Sequence, residues 1–311
     1  MSAAAISWIV WRLLPGSTTL PPSSPVPTPT ATPVTISPEP QIPRRSEMPV
    51  VATTGVTFVL EPAPVASSVG TPVAGSPAIV PASPPGDRSI VRLIPTPPGF
   101  TRVTCPPGSF GDWLRHRKLK RDRTIRDFRG DAVSNSCYHV LGVIDCPLLF
   151  RSDLEQCADF CMRFWADYHK SASRLAQLHL FNYDGRPVPF RGRPDEYRGF
   201  LRRAFSDTNS WSLKLGCRPV APSDLRPGDM FVQNRSGGIG HVSMVIDACR
   251  NDRGERLFLI GFSFMPAQEF HVERADARNG RGGWFTVRGY RAYLEECLPF
   301  DSFGEPVLRR F

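Results

Sequence analysis

Two residues in this 311-residue chain have the chemistry and the local setting for nucleophilic work. Cys157 lies in "RSDLEQCADFCMRFWADYHKSA", and His241 follows the glycine-rich "SGGIG" and opens "GHVSMVID". A thiol attacks as its thiolate, and both a helix N-terminus and a nearby imidazole favour that ionised form. A glycine loop leaves room for a ligand to approach, and a histidine at a strand start is often exposed. Each residue also has a plainer reading. Cys157 falls on an apolar stripe, where a small buried hydrophobe suffices, and Asp153 and Glu155 oppose a thiolate. Cys161 reads as core on the same grounds. His271 alternates with Phe270 and Val272, so it can point outward without a role. Gln268 follows Pro266 in "MPAQE", where an amide serves a turn as readily as a ligand. Arg198 in "EYRGFL" suits a carboxylate or phosphate in a cleft, or an ordinary surface ion pair. His179 in "LHLFN" reads as packed or capping.

Other chemistries are excluded by what is missing. "RSGGIGH" is too short for a phosphate loop, and no GxGxxG, Walker or GxSxG pattern occurs. The eight cysteines form no CxxC and no zinc-type Cys/His spacing, so neither structural metal nor cofactor is expected. Disulfides are open to Cys137 and Cys146, which bracket an expected strand, and to Cys105, Cys217, Cys249 and Cys297 near element ends. Their pairing stays undetermined.

Roughly two thirds of the 33 prolines precede Phe100, with dense Ser, Thr, Ala and Val. Such a stretch cannot bury a core, so residues 1–93 read as a disordered leader and linker and residues 94–311 as one globular domain. The apolar run from Ala3 to Leu14 is interrupted by Arg12 and is shorter than the roughly 20 residues that span a bilayer. It lacks a positive n-region and reads either as a degenerate export segment or as a disordered end. The Pro/Thr/Ser tract behind it suits a spacer holding a domain off a surface, and an extracytoplasmic setting is expected. The formal charge of +9 sits on the folded part. Arg115, Arg117, Lys118, Lys120, Arg121 and Arg123 form a basic run, either a solvated loop or a contact for an anionic surface, without specific nucleic-acid recognition.

The elements that would position these side chains are legible from period and punctuation. "SFGDWLRHRKL" predicts a short helix, and "CYHVLGVIDC" a strand ending at Pro147. Ser152 and Glu155 predict a capping box, hence a helix from Ser152 to about Ser171 with Cys157 beyond its first position. Leu154, Cys157, Ala158, Cys161, Phe164, Trp165 and Tyr168 form its apolar stripe, with Gln156, Asp159, Arg163 and Asp167 elsewhere. "DEYRGFLRRAFSDTNSWSLKL" predicts helix broken near Ser206–Asn209. "LRPGDMFVQN", "GHVSMVIDACR", "ERLFLIGFSFMP" and "QEFHVER" then predict short strands, with a hairpin at "RNDRGE". Helices first and an antiparallel meander later imply an α+β fold, helices packed on one face of the sheet.

"SFGDWLR", "DLEQCAD", "EYRGFL", "GDMFVQ", "GHVSMVID" and "FMPAQEFHV", in this order and spacing, resemble the bacterial domain of unknown function 4846 family, from about Ile94 to the C-terminus. The resemblance implies a fold and an exported setting, and no reaction. Relatives usually place Gln before the Ser of "SFMPAQ"; here Phe262 precedes Ser263. More loosely, a cysteine early in a helix followed by "PGDMFVQ…GHVSMVID" is similar to papain-like cell-wall hydrolases of the NlpC/P60 type. That similarity implies Cys157 as nucleophile and His241 as general base, with Ser263, Gln268 or His271 orienting the ring and the Cys157 amide and Gln233 holding an oxyanion. The expected activity is cleavage of amide bonds in peptide or cell-wall glycopeptide, with Arg198, Gln233 and Ser263 touching substrate. The alternative is a non-catalytic peptide- or glycan-binding module of the same fold, gripping through the glycine loop and the "MPAQ" turn. Oligomeric state is open.

Overall fold

A computed structural model describes residues 86–311; the leader and the apolar N-terminal run lie outside them. The helices are α1 (Ile90–Leu93), α2 (Phe110–Arg115), α3 (Cys157–Ser171), α4 (Tyr197–Asp207), α5 (Ser210–Gly216), α6 (Val287–Cys297) and α7 (Phe300–Phe303). The strands are β1 (Thr101–Arg102), β2 (Val140–Val143), β3 (His179–Phe181), β4 (Pro187–Pro189), β5 (Arg218–Pro219), β6 (Met230–Asn234), β7 (Gly240–Arg250), β8 (Arg256–Phe262), β9 (His271–Glu273), β10 (Gly280–Arg281), β11 (Trp284–Phe285) and β12 (Val307–Arg310). This is an α+β domain. Among the described residues one large antiparallel sheet runs β10-β11-β8-β7-β6-β12-β5, with β9 and β2 continuing from β8, and β3-β4 form a separate hairpin.

The meander β6-β7-β8 is the frame. Val232 pairs with Val242 and Gln233 with His241, while Met244 pairs with Gly261 and Val245 with Ile260 before a bulge. Strand alternation sends successive side chains to opposite faces. Val232, Val242, Met244 and Leu259 join a core with Ala158, Phe160 and Phe164 of α3 and Leu213 of α5. Phe231, Val245, Phe258 and Ile260 join a second core with Tyr290, Tyr293 and Leu294 of α6. The expectation of helices on one face is thereby corrected: α6 covers the other face, capped by Thr286, whose hydroxyl accepts the Gly289 amide at 2.9 Å. Ile90, ahead of Ile94, is fully buried in the first core, and Ser89 bridges to Lys118.

The start of α3 is also corrected. Gln156 and Asp159, not Ser152 and Glu155, form its capping box, and the Asp159 carboxylate accepts the Gln156 amide at 3.0 Å. The acids near the expected cap serve distant partners. Glu155 accepts the Leu149 amide at 2.6 Å and pairs with Arg163 at 2.5 Å, and Asp153 accepts the Ala267 amide at 2.6 Å. Asp159 and Arg163, expected off the apolar stripe, are therefore buried, Arg163 through this pair. As a result Cys157 is the first helical residue. The break between α4 and α5 falls at Thr208–Asn209, and Asn209 caps α5 by accepting the Trp211 amide at 2.8 Å.

Candidate functional site

The expected pair meets β7 at neighbouring residues. Val242 packs with α3, and its amide donates to the Cys157 sulfur. His241, one residue earlier, points to the other face, edge-on to Phe262 and Phe264 with ring centroids 5.0 and 5.4 Å away. It lines a cavity of about 20 Å³ with Asn135, Cys137, Tyr138, Tyr293, Leu294 and Cys297. That is room for about one water. His241 is 0 % exposed, and neither ring nitrogen has a hydrogen-bond partner among the described residues. Burial, with His271 nearby as the smaller influence, holds its imidazole down at about 3. Cys157 is 5 % exposed. A helix N-terminus favours a thiolate, and so does the Val242 amide, yet burial outweighs both and pushes the thiol up to about 12.

The proposed supporting residues are held by the fold itself. The Ser263 hydroxyl donates to the Gln268 carbonyl at 2.6 Å and closes the turn around Pro266. The Gln268 amide nitrogen donates to the Tyr138 hydroxyl at 2.9 Å. His271 does not point outward: it is fully buried, its Nε2 pairs with Glu273 at 3.0 Å, and it packs between Phe262 and Tyr138. Gln233 donates its amide to the Leu298 and Gly304 carbonyls, each at 3.1 Å, and so ties the C-terminal segment to β6. Arg198 is exposed on α4, where it donates to the Leu149 carbonyl at 2.5 Å and lies over the Phe150 ring. The structure thus brings His241, Gln268, His271 and Ser263 to one end of the sheet and leaves Arg198 apart on α4 with the 149–150 segment.

Two residues of this polar cluster escaped the sequence reading. Glu273 is buried, pairs with His271 and accepts the His139 amide; the signal available was the two-residue spacing in "HVE", which puts both side chains on one strand face. Tyr138, preceding β2, packs its ring against His271 at a tilt of 42°, with centroids 4.8 Å apart. No local pattern announces that contact.

The basic run is divided by tertiary contacts. Arg115 is buried and pairs with Asp247 at 2.7 Å, Lys120 pairs with Glu269 at 2.8 Å, and Arg117 lies over the Trp113 ring. Lys118, Arg121 and Arg123 are exposed. All eight cysteines are free thiols. Among the described residues no cluster of three His, Cys, Asp or Glu is arranged for a metal ion, and no helix is long and apolar enough to cross a membrane.

A two-sided antiparallel sheet, with a cysteine opening the central helix and a histidine opening the central strand, defines an α+β domain whose polar cluster is closed in by its own cores. The chain belongs to the family described as domain of unknown function (4846), whose profile matches residues 90–193 and 191–300. No curated protein and no solved structure matches it.

Proposed function

We propose that this domain is a non-catalytic peptide-binding module whose contact surface surrounds the glycine loop before His241. One observation carries the reading: three of the five large hydrophobic side chains left exposed among the described residues, Tyr183 at 46 %, Leu215 at 49 % and Ile239 at 47 %, gather there. The Tyr183 hydroxyl donates to the Gly237 carbonyl at 3.0 Å, and the Asn209 amide donates to the same oxygen at 3.0 Å. Gly237 has φ +90°, and a Cβ on it would meet the Tyr183 hydroxyl and approach Trp211. Leu215 abuts Gly185, two residues beyond Tyr183. Exposed apolar side chains grouped on a braced loop suit a partner with apolar side chains of its own. Tyr183 alone of the three presents a ring, and the aliphatic Ile239 and Leu215 offer a sugar neither ring faces nor polar groups, a balance that favours peptide, including the peptide part of a cell-wall glycopeptide. The Pro/Thr/Ser-rich leader supports an extracytoplasmic setting.

The acid–base balance of the other pair points the same way. Burial raises the Cys157 thiol and lowers the His241 imidazole, so it disfavours both the thiolate and the imidazolium that proton transfer between them would create. Panning a random dodecapeptide display library on the full chain tests the module. Selected peptides should lose binding at least tenfold to Ile239→Asp and to Leu215→Asp; peptides that bind both variants as well as the parent refute this surface.

A second reading, cysteine hydrolysis of amide bonds, is favoured by one observation, the seating of Cys157 at the first position of α3 with the Val242 amide on its sulfur. It requires iodoacetamide to label Cys157 of the native chain faster than Cys105, Cys137 and Cys297 at pH 8. The binding reading requires Cys157 to react only after unfolding, behind the half-buried Cys105, Cys137 and Cys297.

A further inference from the structure

We infer that Cys137 and Cys297 form a reversible dithiol–disulfide pair that clasps α6 to the turn before β2. The two residues are 160 positions apart in sequence, yet both line the cavity beside His241 and both are half-buried. Tyr293, one turn before Cys297 on α6, donates its hydroxyl to the Cys137 carbonyl at 3.1 Å, so the two segments are already docked. Asn135 accepts the Cys137 amide at 2.9 Å and holds the turn. The thiols themselves are hydrogen-bond neighbours, and the Cys297 thiol is raised, first by burial and then by its bond to Cys137. The remaining cysteines offer less. Cys146, Cys157, Cys161, Cys217 and Cys249 are buried, and Cys105 is half-buried beside Gly111.

Exchange with a low-molecular-weight disulfide completes the chemistry. Cys137, on the turn before β2, is the first attacker. Its thiolate bonds to one sulfur of the small disulfide, whose S–S bond breaks and releases one thiolate that takes up the Cys137 proton. The Cys297 sulfur then attacks the Cys137 sulfur of the mixed disulfide, expels the second small thiolate, and passes its proton to it. Two protein thiols are oxidised, one small disulfide is reduced to two thiols, and no other reactant enters. The product closes a loop across most of the domain and fixes the end of α6 at the rim of the His241 cavity.

The test uses the full chain at pH 8 with excess glutathione disulfide, followed by non-reducing peptide mapping and a thermal melt. The expected result is one linked peptide pair joining Cys137 to Cys297, loss of two of the eight titratable thiols, and a melting midpoint higher by about 10 °C that dithiothreitol reverses. Cys105→Ser should keep the shift, and Cys137→Ser or Cys297→Ser should abolish it. Glutathione adducts on both residues without a cross-link, a link from either to a different cysteine, or no oxidation at all overturns the inference. The wild-type comparison with and without reductant needs no variant to fold.

Discussion

His241 makes this domain acid-sensitive in a way that one substitution should remove. In the folded chain burial holds the imidazole near 3, whereas in the unfolded chain it titrates near 6.5. The unfolded state therefore binds the proton more readily between those values. The contribution of His241 to stability is complete above about pH 6.5 and is lost progressively as pH falls toward 3. Between pH 7 and pH 4.5 the loss amounts to about 2.5 kcal/mol. His241→Leu keeps a similar volume between Phe262 and Phe264 and removes the titrating ring. At pH 7 the variant should match the parent or exceed it by up to about 2 kcal/mol, because two unpartnered buried nitrogens are gone. Urea unfolding of both proteins at pH 7 and pH 4.5 measures the difference. Other groups shifted by burial, including Glu155 and His169, are shared and cancel in the comparison. If parent and variant lose the same stability on acidification, the imidazole is not buried and neutral, and the argument against its acting as a base fails with it.

Two further substitutions probe the frame that encloses this cluster. Asp247 is buried and receives Arg102 and Arg115, each at 2.7 Å; Asp247→Ala leaves both guanidinium groups without their carboxylate and should cost about 3–5 kcal/mol in chemical denaturation, a cost below 1 kcal/mol contradicting the pairing. A Gly→Ala change in an open helix gains about 1 kcal/mol, but a Cβ at Gly289 in α6 would overlap the Asn279 carbonyl, so Gly289→Ala should instead lose about 1–3 kcal/mol, read as a lower denaturation midpoint.

Much of the fold was legible in local pattern. The β6-β7-β8 meander follows from alternating apolar residues and the turn at "RNDRGE", and the break between α4 and α5 follows from Thr208 and Asn209, which compete with the helix backbone. The start of α3 was misread because Ser152 and Glu155 satisfy a capping pattern locally, while Glu155 is drawn to Arg163 and Leu149 once the chain is compact. Nothing in "VRGYRAYLEEC" shows which sheet face α6 will cover, since that depends on Phe231, Phe258 and Ile260 being left open by the first layer of helices.

The amino-acid order by itself determined the strand period, the helix breaks, the α+β class and the presence of a thiol and an imidazole near the starts of central elements. These are properties of neighbours a few bonds apart, governed by backbone preference and side-chain alternation. Only the tertiary structure decided how those two groups meet water and each other. It sent His241 to the α6 face, buried Cys157 at the start of α3, joined His271 to Glu273 and brought Cys137 against Cys297. Burial and long-range pairing set the protonation state of a side chain, and neither is written in the residues beside it.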